Sequence, residues 1–359
     1  MPSGRKLPEM PERSSLPASP LPPWLRGAGP ILAAGYSLGS TLHRKMTRPH
    51  FAPIATICVG NLSAGGTGKT PAVKYLARLL CDLGRRPAVL MRGYKEQASD
   101  EAREVTAALS DLRVPVLIGS DRLVSARKAA ESGCDVALLD DGFQHWRLAR
   151  DLDIVLVDAT NPFGGGHLLP HGWLREKPEA LGRAGVVILT RSDAVPASER
   201  EPFEQRLRAL APRALILSAA HKPIRVCSLS GASPEAVSTL AGQSVLAACG
   251  IGNPLGFQKT LESLGANMRD LVKFPDHHAY GAADIELLSK RAVESKASVI
   301  LVTEKDAVKL TGLINERESK ATQFKRLDVS FEICESVEKL KSPITAALVA
   351  GDIRRLADR

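Results

Sequence analysis

Aromatic residues are scarce, 4% of the 359 positions, and no basic block is interleaved with them. With no recognition-helix pattern either, nucleic acid is excluded as an expected partner. Paired cysteines are missing too. The six (Cys58, Cys81, Cys134, Cys227, Cys249 and Cys334) each stand more than about 20 residues from the next, which excludes a CxxC redox pair or a zinc knuckle. Several lie inside apolar runs such as TICVG and LAACG, where buried thiols are expected, and the chain reads as one from a reducing compartment. No uncharged apolar stretch approaches the roughly 20 residues that a spanning helix needs, and the Pro-rich start lacks the apolar centre of a secretory signal. These absences leave a cytosolic chain or one that lies on a membrane.

What the sequence does hold is small and aliphatic. Hydrophobic residues make up 44% of it, drawn mainly from Ala, Val, Leu and Ile, and Gly (29) and Pro (24) are plentiful. That mixture favours α/β folds, and the length allows two domains of roughly 100–200 residues each. Lys and Arg number 48 against 39 Asp and Glu, a net charge of +9. Such a balance suits phosphorylated substrates, polyanions or an anionic membrane surface.

Residues 1–23 carry seven prolines and almost no aliphatic pattern, so a disordered extension is expected there. Over 24–48, Leu25, Ala28, Leu32, Tyr36 and Leu42 recur near helical spacing, with Arg26 before them and His43, Arg44, Lys45 and Arg48 behind. This is the pattern of an amphipathic helix with cationic ends, either packed on its own domain or resting among lipid headgroups. After Pro53, the apolar runs IATICVG, PAVLMRGY, VPVLIG, DVALLDD, DIVLVDA, GVVILT and ALILSAA alternate with helical or loop segments, the rhythm of a parallel sheet. A second cycle opens near Gln243 with SVLAACGIGNP and passes through LGFQKTLESLG and ASVILVTEKD to a last helix around 336–347. Between the cycles, HKPIRVCSLSG alternates as a short exposed strand does. The expected organisation is a first α/β domain over 49–220, a β hinge at 221–235 and a smaller α/β domain over 236–359.

The strand IATICVGN runs into LSAGGTGKT and then a helix, so glycines sit where the chain must turn tightly and present backbone N–H groups to an anion. In this phosphate loop, Gly65, Gly66 and Gly68 allow close approach and Ser63, Ala64 and Thr67 complete the turn. The Lys69 ammonium can reach β- and γ-phosphates, and the Thr70 hydroxyl can hold Mg²⁺. ATP and Mg²⁺ are the expected cofactors. Ser63 stands where the usual pattern has Gly, and Ala64 where ParA-like ATPases carry a second lysine. DVALLDDGFQH fits a Walker B element, in which Asp140, Asp141 or both complete the Mg²⁺ coordination.

Phosphoryl transfer to an alcohol also needs a base or orienting group, and cationic or N–H groups around the transferring phosphoryl. RGYKEQASDEA offers Asp100 and Glu101 after a strand end at which Arg92 can point into a cleft; FPDHHAY offers Asp276, His277 and His278. Arg122 of GSDR, Arg175 and Lys177 are available for a phosphorylated substrate. VVILTRSD supports a rival reading, because guanine-reading loops place [NT]KxD after such a strand; here Arg191 fills the lysine slot. The rival function is a GTP-binding switch or metallochaperone-type NTPase.

In family order and at compatible spacing, VGNLSAGGTGKTP, RGY, SDE, GSDR, DDGFQH, NPFGGGHLLPHGWLRE, LTRSD, GIGNP, FPDHHAY and TEKDAVKL resemble the tetraacyldisaccharide 4′-kinase family, the lipid A 4′-kinases, over residues 53–310. The resemblance implies ATP-dependent phosphorylation of the 4′-hydroxyl of a tetraacyldisaccharide 1-phosphate, giving lipid IVA, at the cytoplasmic face of the inner membrane. A peripheral monomer on an anionic membrane surface is expected. So are two α/β/α domains, P-loop NTPase-like and Rossmann-like, joined by a β hinge with the active site in the cleft. The resemblance further implies that Asp100 and His277 form the pair that activates the sugar hydroxyl, that Lys69 and Thr70 serve ATP and Mg²⁺, and that Asp140 and Asp141 serve the metal. It assigns Arg92, Arg122, Gln144, His145 and Arg175 to the substrate or phosphate site. The chain departs from the family pattern in the short segment 95–98, in Ser99 where Gly is common, and in the extension 1–23.

Overall fold

The structure, a computed structural model, describes residues 19–93, 95–229, 231, 233–276, 278–314 and 323–357, with the backbone alone for 95–100. Most of the Pro-rich extension and His277 lie outside the described residues.

A 3-10 turn at Pro23–Ala28 leads into α1 (Gly29–Met46), which has a proline in its first turn, where a missing N–H leaves no helix bond unmade. The first cycle comprises β1 (Ala55–Asn61), α2 (Lys69–Asp82), β2 (Pro87–Met91), α3 (Lys95–Ala108), β3 (Val116–Ile118), α4 (Arg122–Glu131), β4 (Val136–Asp140), β5 (Leu152–Asp158), β6 (Val186–Thr190), α5 (Ala197–Leu210) and β7 (Leu215–Ser228). The second comprises β8 (Ser244–Cys249), α6 (Pro254–Ser263), β9 (Asn267–Lys273), α7 (Ala282–Ser295), β10 (Val299–Thr303), α8 (Glu304–Leu310), β11 (Gln323–Ile333) and α9 (Val337–Ala357).

Among the described residues, the strands join one 11-stranded sheet of order β3-β2-β4-β1-β5-β6-β7-β11-β10-β8-β9. Pairing is parallel except between β7 and β11. β1, β2, β4 and β6 are buried at every residue, which explains why their sequences read as continuous apolar runs rather than as alternation. The α/β class with a P-loop NTPase-like half is therefore the observed one.

ALILSAA and HKPIRVCS, expected as a last strand of the first domain and a separate hinge, form a single strand of 14 residues, β7. Leu215 to Ser218 pair with β6, and Ala219 to Ser228 pair with β11, so one strand serves both halves of the sheet. β11 (QFKRLDVSFEI) carries polar residues that interrupt any apolar run, so it leaves no strand pattern in the sequence.

The last helix also departs from expectation. Leu340, Ile344, Ala347 and Leu348 of α9 enter the same hydrophobic cluster as Ala55 and Ile57 of β1, in the first half of the sheet. Gly351 lies so near Ala55 that a Cβ there would clash with it. Apolar spacing names the buried face of a helix but not the sheet it covers. α1, by contrast, buries only Gly29 and Ala33, and leaves Ile31, Leu38, Leu42 and Met46 exposed above a last turn of His43, Arg44 and Lys45. Among the described residues, no helix is long and apolar enough to cross a membrane.

Candidate active site

Between β1 and α2 the chain makes the phosphate loop. Gly65 (φ 133°) and Gly68 (φ 86°) occupy the left-handed region, where a side chain is strained. Ser63 is not in that region, so its backbone does not require the glycine of the usual pattern; it bridges Leu174 instead. The neighbouring Ala64 amide donates to the Trp173 carbonyl at 2.7 Å. The rest of the loop is tied from behind. Asn61 Nδ2 donates to the Ser63 carbonyl (2.8 Å) and to Thr67 Oγ1 (2.9 Å), and the Thr190 hydroxyl donates to the Thr67 carbonyl (3.0 Å). In a planar trans peptide, a carbonyl turned back sends the next N–H the other way. The Thr67 carbonyl thus aims the Gly68 amide away from Thr190, at the positive end of α2.

Arg191 completes the support. Its guanidinium donates to the Gly66 carbonyl (2.7 Å) and pairs with Asp158. The side chain in the lysine slot of the guanine-reading pattern is therefore engaged with the phosphate loop itself. Thr190, Arg191 and Asp158 are absent from the expected site residues; the LTRSD motif contains Thr190 and Arg191, but its likeness to a base-reading loop points to a different role, and Asp158 is only the last residue of β5, in the apolar run DIVLVDA.

The loop opens on a cleft of about 1000 Å³, lined by Arg92, Glu101, Asp140, Asp141, Gln144 and Arg175 from the first half of the sheet and by Gly252, Asn253 and Asp276 from the second. Asp140, the last residue of β4, is 6% exposed, and its Oδ1 has no hydrogen-bond partner. Burial pushes this carboxyl up to about 7; Lys69 opposes the shift, and Asp141 and Glu101 add to it. Asp141 turns through a left-handed backbone (φ 55°) to meet Arg175 NH1 at 2.9 and 2.8 Å and Lys69 Nζ at 3.7 Å. Burial works to raise its pKa, but Lys69 and Arg175 outweigh that and hold it below the usual carboxylate value. Gln144 Nε2 donates to the Asn61 carbonyl and to Glu176 Oε1, both at 3.0 Å, and Arg183 grips Glu176 through two bonds of 3.0 Å.

Two of the expected substrate residues do not line the cleft. Arg122 is 2% exposed, because its position as the first residue of α4 folds the side chain beneath β4. It donates to the carbonyls of Gly119 (2.7 Å) and Asp140 (3.4 Å), a supporting rather than a lining position. Nε2 of His145 is buried without a partner, and burial, then Arg122, lower the imidazole pKa to about 4. Arg92, Gln144 and Arg175 do line the cleft. Asp100 belongs to α3; its side chain lies outside the described residues, as does His277. Glu101 and Glu104 of the same helix face the cleft.

His221 of β7 carried no sequence signal, being a lone histidine within an alternating strand. Both its ring nitrogens are buried without partners, and the ring packs on Gly68, where a Cβ would come within 2.9 Å of Cε1 and Nε2. Burial, then the nearby Arg191, hold its pKa down at about 3.

A strand, a glycine loop closed by Lys69 and Thr70, and a helix, beside an adjacent strand ending in paired aspartates, define a P-loop phosphotransferase. The model of the tetraacyldisaccharide-1-P 4′-kinase family, LpxK, matches residues 29–348, and the chain belongs to that family. It is 42% identical over 292 residues to the tetraacyldisaccharide 4′-kinase of Syntrophus aciditrophicus (strain SB), covering 74% of this chain and 78% of that one. It is 37% identical over 358 residues to that of Anaeromyxobacter sp. (strain K), covering 94% and 93%. Among solved structures, LpxK from Aquifex aeolicus in complex with ATP superimposes with a TM-score of 0.68 at 28% identity, covering 90% of this chain and 99% of that one. Membership makes the chain a kinase acting on a hydroxyl, and the rival GTP-binding switch is not favoured.

Proposed function

We propose that the cleft transfers the γ-phosphoryl of ATP to the 4′-hydroxyl of a tetraacyldisaccharide 1-phosphate, giving lipid IVA. The observation that carries this reading is the convergence of Lys69, Asp141 and Arg175 at the mouth of the phosphate loop. The loop of residues 63–70 cradles the triphosphate through amides other than those of Ala64 and Thr67, which are spent on Trp173 and Gly65, and Lys69 meets the β- and γ-phosphates.

Asp140 and Thr70 fit Mg²⁺. The buried, unpartnered Oδ1 of Asp140 is an oxygen donor suited to a divalent cation, whereas Asp141 is already committed to Arg175 and Lys69. Held by these two residues, Mg²⁺ would neutralise charge on the phosphate oxygens. Arg92 and Arg175 supply cations for the transferring phosphoryl or the substrate phosphate, and Gln144 holds the Arg175 region in place. By likeness to the family, Asp100 and His277 activate the sugar hydroxyl. The two halves of the sheet act as lobes about the 221–235 segment, and their closure excludes water as a competing acceptor. α1 rests on the anionic cytoplasmic face of the inner membrane, presents the lipid sideways to the cleft, and serves a monomer.

Incubation with γ-labelled ATP and vesicle-borne lipid A disaccharide 1-phosphate tests this reading. Label on the lipid with ATP and little with GTP is expected. GTP-selective hydrolysis with unlabelled lipid would contradict it.

A further inference from the structure

Helix α8 supplies none of the groups assigned above to chemistry, yet it fastens both segments of the second half that face the phosphate loop. Asp306 is 1% exposed and does not line the cleft. Its carboxylate accepts from the Gly250 amide (3.2 Å to each oxygen), the Thr303 hydroxyl (2.6 Å) and the Tyr280 phenol (3.0 Å). Among the described residues no salt bridge reaches it, so these donors are what keep a buried carboxylate tolerable.

The donors come from different segments. Gly250 opens the loop after β8, and Tyr280 closes the segment after β9. A Cβ on Gly250 would sit 3.1 Å from the Pro275 carbonyl and 3.2 Å from both Asp306 Oδ1 and the Tyr280 hydroxyl, so the two segments are pressed together around the carboxylate. Two residues further on, a Cβ on Gly252 would be 3.2 Å from the Gly66 amide and 3.6 Å from Asp276 Oδ2. The rest of α8 reinforces the grip: Lys305 pairs with Asp276 at 2.9 Å, and Lys309 donates to the His278 carbonyl at 2.9 Å.

We propose that Asp306 is a positioning residue for phosphoryl transfer, setting where the 250–253 loop and the segment bearing Asp276 stand over Gly66. The inference rests on the transfer reading above. The phosphate loop itself is held by Asn61, Thr190 and Arg191 of the first half, so loss of Asp306 moves the second-half segments and leaves the nucleotide cradle in place.

Asp306→Asn replaces an acceptor with an NH₂ that faces donors, and Tyr280→Phe removes one arm of the same clasp. Transfer from ATP to vesicle-borne disaccharide 1-phosphate is measured for the wild type, both single variants and the double variant. Since a misplacement of about 1 Å costs on the order of a hundredfold in rate, kcat should fall at least about tenfold in Asp306→Asn and about threefold in Tyr280→Phe, with ATP KM within about twofold of wild type. The double variant should be no slower than Asp306→Asn, because Tyr280 acts through Asp306. If Asp306→Asn does not fold, Tyr280→Phe decides alone. A wild-type kcat in a folded single variant overturns the proposal whatever its melting temperature, as does a rise in ATP KM that matches the fall in kcat, or multiplicative losses in the double variant. A wild type that labels no lipid overturns the transfer reading instead.

Discussion

Asp140 and Asp141 are neighbours in sequence whose surroundings drive them apart. One is buried with an oxygen unpartnered, and the other is ion-paired to Arg175 and near Lys69. Asp140→Asn is therefore expected to raise the Mg²⁺ needed for half-maximal turnover by at least about tenfold, with Asp141→Asn acting chiefly on kcat. An Mg²⁺ titration of both variants checks this. His221 gives a second residue-scale outcome. It is held neutral in the fold, with its pKa at about 3, but protonates near its ordinary 6.5 in the unfolded chain. The folded state then binds fewer protons between these values, so stability is full above pH 6.5 and falls as the pH drops through the window, by about 2 kcal/mol at pH 5. His145, with its pKa at about 4, adds to the same slope. His221→Gln should lower the dependence of unfolding free energy on pH by about one proton between pH 6 and 4, read from denaturant melts. An unchanged slope would contradict the assignment.

At the scale of elements, the phosphate loop is a suspended turn whose carbonyls are tied back by Asn61, Thr190 and Arg191. Arg191→Ala should raise the KM for ATP by about tenfold, since a charge-assisted bond to the loop is lost, and should bring no gain with GTP. Steady-state kinetics with both nucleotides decide it. The loop was legible in the sequence because a strand, glycines, Lys69 and a helix must occur in that order to bind a phosphate chain. The same sequence could not show that Arg191 bends to Gly66, or that Arg122 folds beneath Asp140, because a long cationic side chain has the same letter whether it lines a cleft or supports its floor. α9 illustrates the limit for whole helices. Its apolar residues announce a buried face, but only the completed sheet reveals that β1 is the surface they cover.

For the molecule as a whole, β7 matters most, because it carries the sheet from one half to the other and bears His221 against Gly68. α1 is little embedded, burying only Gly29 and Ala33, with Ile31 at 77% and Leu38 at 72% exposure beside a cationic last turn. Deleting 1–48 should lower turnover on vesicle-borne substrate at least about tenfold while leaving ATP affinity near wild type, because amphipathic binding to lipid scales with buried apolar area and basic charge. Equal loss of both would mark α1 as an ordinary packing helix, a distinction that composition and spacing left open. The central claim is that the loop ending in Lys69 delivers the phosphoryl group that appears on the lipid. Single-turnover transfer from γ-labelled ATP to the disaccharide, comparing wild type with Lys69→Ala, tests it most directly. The account predicts rapid labelling of the lipid by the wild type and a loss of at least about a hundredfold in the variant. Labelling by Lys69→Ala at the wild-type rate would contradict it.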